Sequence, residues 1–307
     1  MTRIASVRQA LSNYAIFVAL VVECVILAFA NDAFFTASNL TNVLRQNAFT
    51  AILAAGMSVV ILTAGIDLSV GSVVALSGVF CADVLVRGWG LAAGLGAGLA
   101  VGLAVGMLNG AVVTRLRVPP FVVTLAMMLV VRGAAYKYTD ARTISNLPES
   151  FGQLSGGAVT AAIMLAVFGV AWLTLMRSPF GRHVYAVGGN RDAAWLSGVR
   201  VDRVLFKSYV ICGACAGLAG VLVAARLNAG YPKAGEFYEL DAIAAVVVGG
   251  TSLFGGRGSI WGTLAGAFFI GVLNNGLNLF GVSPYDQMIV KGAVLLVAAS
   301  LDRWRSQ

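Results

Sequence analysis

The chain has 307 residues, of which 59% are hydrophobic and only 11% charged. Soluble domains carry about 25% charged residues, so a water-exposed globule of this length is excluded. The net charge of +8 does not point to nucleic acid, because the basic residues sit in short hydrophilic breaks between apolar runs, the pattern that sets membrane topology.

A helix crossing a hydrocarbon core of about 30 Å needs about 20 residues at 1.5 Å rise. The chain therefore has room for roughly ten spans with short loops. Apolar segments fall at 14–30, 48–64, 70–86, 90–114, 119–138, 158–176, 208–225, 240–252, 259–280 and 286–301. The first follows Arg3 and Arg8 and ends near Ala28-x-Ala30, which imitates a cleavable signal peptide. Nine further segments follow it, which favours an uncleaved first span.

With the N-terminus inside, 13 of the 21 Lys and Arg fall in cytoplasmic breaks, six of them in 177–207. That bias predicts both termini in the cytoplasm, with lipid bilayer around a single all-α transmembrane domain over 1–307. The 240–252 segment is short, and the 65–71 break is tight, so either is a candidate half-helix. Gly94-x-Gly96-x-Gly98 and Gly102-x-x-x-Gly106 read as faces for close helix packing. Cys24, Cys81, Cys212 and Cys215 lie inside apolar runs, and no second ligand cluster supports a metal or disulfide role.

The run Ile61–Ser72 sets Asp67, Ser69 and Ser72 between apolar stretches, flanked by Gly65 and Gly71. A charge at bilayer depth costs about 2.5–3.5 kcal/mol on insertion scales and faces a bundle interior or an aqueous path. Asp67 has two readings: it lines that path, or it caps the following half-helix through Ser69 and the free amides at 70–72. Asn109, Asn274, Asn275 and Asn278 are amides inside apolar segments, able to bond a polar solute or neighbouring helices. Glu239 and Asp241 open a short apolar helix, where acids favour the N-terminal dipole.

Residues 177–207 form the largest polar break. Within it Asn190 is a good N-cap, Asp192 suits the first turn, and Gly198 suits the position after the last turn, which predicts a helix of about two turns. Such a helix needs a surface beneath Ala193, Ala194, Trp195 and Leu196. It rests on its own bundle or lipid, or it docks a cytoplasmic partner.

A weak internal echo links Asn109-Gly110…Pro119-Pro120-Phe121 with Asn274-Asn275-Gly276…Pro284-Tyr285. Under the topology above the two copies face opposite sides, as an inverted repeat of five helices requires. No phosphate-cradling Gly-Lys-Ser/Thr loop occurs, since none of the lysines follows a glycine, and His183 is the only histidine. No cofactor or catalytic site is expected in this chain.

Taken together, Ala64–Ser72, Gly188-Gly189-Asn190…Ala193-Ala194…Leu196-Ser197-Gly198, Tyr238–Ser252, Gly255-Gly256-Arg257-Gly258 and Leu273–Asn278 resemble the permease subunits of ABC importers for simple sugars, the ribose, xylose and arabinose group that includes autoinducer-2 permeases. The likeness runs over nearly the whole chain and is strongest to ribose-type permeases through 237–291. The resemblance implies a multi-pass protein of the bacterial inner membrane, paired with a second copy or a paralogue. ATP is used by a separate cytoplasmic ATP-binding subunit, and a periplasmic binding protein delivers sugar. Arg182, Gly188, Gly189, Asn190, Ala193, Ala194, Leu196, Ser197 and Gly198 are then the expected contacts to the ATP-binding subunit. Asp67, Ser69, Asn109, Asn274, Asn275, Asn278, Glu239 and Asp241 are the candidates for the path. Two other readings stand beside this one: a related permease for autoinducer-2, a nucleoside or a branched-chain amino acid, and an ion-coupled carrier using Asp67 and Glu23.

Overall fold

The computed structural model describes the backbone of residues 2–306 and the side chains of residues 15–300. Arg3, Arg8, Arg303 and Arg305, which contribute to the topology argument, have side chains outside the described residues. The described residues form α-helices and no strand; one isolated bridge joins Ile144 to Gly230. In chain order the helices are α1 (Thr2–Ala30), α2 (Ala37–Leu62), α3 (Val70–Val86), α4 (Leu91–Arg115), α5 (Pro120–Thr139), α6 (Glu149–Gly152), α7 (Gly157–Arg177), α8 (Pro179–Gly189), α9 (Arg191–Leu196), α10 (Val201–Leu227), α11 (Tyr238–Val248), α12 (Ile260–Leu279) and α13 (Pro284–Ser306). Six of these, α2, α4, α5, α7, α10 and α12, are long and apolar enough to cross a membrane. The chain is a polytopic membrane protein.

Every one of the ten apolar segments carries a helix, with boundaries that shift where polar residues are folded in. A large shift is at α2, which starts at Ala37 and not near 48. Its first turns are polar, and Thr36 caps them by accepting a hydrogen bond from the Asn39 amide at 3.3 Å. α11 spans 11 residues, about 16 Å at helical rise, which is half a hydrocarbon core.

α2 is the axis of the bundle: from Ala51 to Leu62 every residue is buried. Around it, α4 and α10 approach through bare backbone. A Cβ at Gly102 would meet the Gly213 carbonyl and lie 2.7 Å from Gly217, and one at Gly106 would lie 3.1 Å from Val210. Gly94 and Gly98 face Leu85 and Val221, whereas Gly96 faces open space, so alternate glycines of that run make the packed face. On the other flank of α10, Cys212 and Cys215 cover Gly56 of α2, and all four cysteines are free. A third small-residue contact joins α3 to α10, where a Cβ at Gly78 would meet the Gly220 carbonyl at 3.0 Å. Lys291, a cation inside α13, is neutralised by Asp241 of α11 at 3.1 Å.

Candidate functional site

α2 ends because Ala64 takes a left-handed conformation, φ 60°, and the amides of Thr63, Ala64 and Gly65 turn back to Val60 and Ile61. The flanking glycines serve space, not backbone freedom, since neither has positive φ. A Cβ at Gly65 would lie 2.7 Å from the Tyr209 hydroxyl, and one at Gly71 would strike the Glu239 carboxylate and the Gly235 carbonyl. The carbonyls freed by the break find protein donors: Gly256 donates to Leu62 at 3.0 Å and Thr124 to Ile66 at 3.1 Å. Non-helical backbone at membrane depth requires this satisfaction.

Within the break, Asp67 is 1% exposed. Its Oδ1 accepts from the Ser69 amide at 2.9 Å and from Ser69 Oγ at 2.6 Å. Asn109 of α4 donates to Ser69 Oγ at 2.9 Å and lies 3.4 Å from both Asp67 oxygens, while the Cys212 thiol of α10 also bonds the carboxylate. Three of the sequence-derived path candidates, Asp67, Ser69 and Asn109, are thus gathered in one sealed polar knot. The carboxylate holds the Ser69 amide, and the free amides at 70–72 are not its partners; Ser72 Oγ instead donates to the Ser69 carbonyl. Asn109 Oδ1 and the Tyr209 hydroxyl are buried there without a partner.

The other candidates stand apart. Asn275 exchanges two hydrogen bonds with Asn39 of α2, at 2.7 and 3.0 Å, and ties α12 to the start of α2. Asn278 accepts from Gln287 at 2.9 Å across the turn into α13. Asn274 keeps a buried Oδ1 unpartnered. Glu239 and Asp241 sit in the first turn of α11, where Glu239 faces Gly71 at the start of α3. Glu23 lies on α1, which packs against α12, whereas the Asp67 knot is enclosed by α4 and α10.

A second break was not legible in the sequence. After α10 the chain does not stay at the end of the bundle but descends along α3: Gly230 packs on Val79 and Ala82, and Gly235 on Gly71 and Val74. That is a descent of about 12 Å, eight residues of α3 at helical rise. Arg132 of α5 fixes the segment by donating to the carbonyls of Pro232 at 2.9 Å and Ala234 at 2.7 Å. Between this segment, α2, α10 and the start of α11 lies a cavity of about 220 Å³.

At the far end of the bundle α8 and α9 form a platform. α8 buries Gly181, Val184 and Val187 on one face, capped by Ser178, whose Oγ accepts from the Gly181 amide at 3.2 Å. Asn190 caps α9 by accepting from the Ala193 amide at 2.9 Å, and Gly198 closes it at φ 84°, as the capping pattern predicts. Only Ala194 of that helix is buried; Trp195 is 67% and Leu196 77% exposed, and Arg182, Gly189, Ala193 and Ser197 also face outward. Gly188 turns inward, where a Cβ would strike the Leu62 carbonyl and approach the Gly256 amide at 2.5 Å. The Tyr185 hydroxyl donates to the Gly258 carbonyl at 3.1 Å, and burial pushes its phenol above the usual range. The platform is thereby joined directly to the end of α2, five residues before Asp67.

The family model described as the branched-chain amino acid transport system / permease component matches residues 39–299. The chain is 47% identical over 297 residues to the ribose import permease protein of Bacillus subtilis, covering 94% of this chain and 92% of that one. It is 45% identical over 294 residues to the ribose import permease protein of Escherichia coli K12, covering 93% and 92%. The fructose import permease protein of Rhizobium meliloti is 38% identical over 285 residues, covering 88% and 79%. No solved structure matches the chain. With its helical bundle, its interrupted spans and these likenesses, the chain belongs to this family of transport-system permease components.

Proposed function

We propose that this chain is the membrane-spanning permease subunit of a binding-protein-dependent ABC importer carrying a ribose-like monosaccharide into the cytoplasm. The observation that carries the reading is the near-full-length likeness to ribose import permeases, higher than that to the fructose permease. The chain lacks a phosphate loop, so the motor is a separate ATP-binding subunit. The exposed Trp195 and Leu196 on a well-capped α9 support docking of that subunit on the platform. The binding protein delivers sugar at the opposite end, and a second copy or a paralogue completes the permease pair in the bacterial inner membrane.

Ten crossings with both termini cytoplasmic fit the basic bias of the breaks on the α8 and α9 side. The inverted repeat gains support from a likeness of parts: α3 and α11 are each short and follow a non-helical break. α4 and α12 each carry an echo asparagine, Asn109 and Asn274, and each is followed by a helix with Pro at its first position. In reconstituted proteoliposomes, labelled ribose should accumulate only with ATP, the ATP-binding subunit and the binding protein all present. Uptake by this chain alone without ATP overturns the proposal. The family description favours an amino acid as the second reading. A binding protein that takes leucine and ignores ribose selects it.

A further inference from the structure

The cavity beside the second break has no part in the capping and packing described so far. Its walls are Phe49 of α2, Arg226 at the last turn of α10, Tyr231 and Gly235 of the descending segment, and Tyr238 at the start of α11. Arg226 holds its guanidinium carbon 5.7 Å from the centre of the Phe49 ring. Among the described residues, neither the Arg226 guanidinium nor the Tyr231 and Tyr238 hydroxyls take a hydrogen bond, and Arg226 and Tyr231 are exposed. Arg45, one turn before Phe49 and within electrostatic range of Arg226, keeps its Nε buried and unpartnered. The floor, Gly235, touches Gly71, and Tyr238 neighbours Glu239, which also reaches Gly71.

Such a wall combines flat aromatic faces with several neutral or cationic donors and no carboxylate of its own. Ligand sites generally pair an apolar lining with a few placed polar groups, and transporters build theirs where helices are discontinuous. A cyclic sugar matches this wall on both counts: its C–H face lies on a ring, and its hydroxyls accept from arginine and exchange with phenols. The cavity, about 220 Å³, is open at the Arg226 and Tyr231 rim and has room for a small solute such as one monosaccharide.

We infer that this cavity is the first resting site of the monosaccharide inside the permease, with the rings of Tyr231 and Tyr238 as its apolar face and Arg226, held over the buried Phe49, and the Tyr238 hydroxyl as partners for sugar hydroxyls. The inference rests on the transport reading proposed above. It places sugar binding at the descending segment, and not at the sealed Asp67 knot.

The test uses the complete importer in proteoliposomes, with labelled ribose as probe. Tyr238→Ala and Arg226→Gln should each lower uptake per assembled complex about tenfold, the scale of a binding hot spot. Trp89→Ala, exposed at the α3–α4 turn, should match wild type. In the solubilised complex, Tyr231→Cys should react with a hydrophilic thiol reagent, and ribose at twice its Kd should slow that reaction about threefold by mass action. Wild-type uptake in both cavity variants, or unprotected labelling, overturns the site. Should those variants fail to reach the membrane, Tyr238→Phe, which removes one hydroxyl, decides: slowed uptake supports the site and a wild-type rate overturns it. If wild-type importer carries no ribose, the proposed function itself has failed. If wild type transports and the variants do so equally, only the cavity assignment falls.

Discussion

Two non-helical segments interrupt the bundle, and they are built on opposite plans. The break between α2 and α3 is closed: Asp67 is 1% exposed, its oxygens are held by Ser69, Asn109 and Cys212, and its carbonyls are taken by Gly256 and Thr124. The segment between α10 and α11 is fixed by Arg132, by the Ile144–Gly230 bridge and by its contacts with α3, and on the other side faces a cavity with unpartnered donors. A buried charge and an open polar surface are thus separate features of this molecule. In this molecule the conspicuous carboxylate fastens a bend, and the less conspicuous loop carries the open chemistry.

The two segments meet at Gly71, and that contact yields the largest expected effect. Gly71→Val drives a side chain into Glu239 and into the Gly235 carbonyl, which is main chain and cannot swing aside as a side chain does. Folded protein should disappear from membranes, as read by gel filtration of detergent extracts. Next comes Asp67→Ala, which strands the Ser69 amide and hydroxyl in a buried site; each buried group left unsatisfied costs about 1–3 kcal/mol. Melting in detergent should fall by several degrees, whereas Asp83→Ala, which breaks a surface pair with Arg87, should leave it within about a degree. Equal tolerance at both positions would remove the fastening role.

Arg132→Gln comes next, removing two charge-assisted bonds of about 1.5–3 kcal/mol each from the open segment. Protease sensitivity near Lys233 should rise and uptake should fall several-fold, with the Asp67 side of the bundle unaffected. The smallest effect on the fold is expected at the platform. Asn190→Ala removes one cap worth about 1 kcal/mol. Melting should hardly move while ATP-coupled uptake drops; full coupling in this variant and in Gly189→Leu would detach α9 from the docking role.

Apolar periodicity made the helices readable, because the membrane imposes one length and one composition on them. What it did not show depends on partners far away in the chain. The polar start of α2 is helical because Thr36 caps it and Asn39 meets Asn275, 236 residues distant. Gly65 and Gly71 flank the break, but Ala64 makes the turn and the glycines make room for Tyr209 and Glu239. α9 was legible because its signals, Asn190, Asp192 and Gly198, are local. α8 was not, since its buried Val184 and Val187 are interleaved with Arg182 and His183. The stretch 228–237, rich in turn residues, reads as a surface loop, and only the arginine on α5 and the small contacts along α3 draw it inward.

Gly188 meets Leu62 and Gly256 through main chain alone. Side chains absorb small displacements by hopping between rotamers, but a joint of bare peptide has no such slack. A tilt of the platform is thus handed undamped to the last turn of α2, and even a methyl group at this joint acts as a wedge.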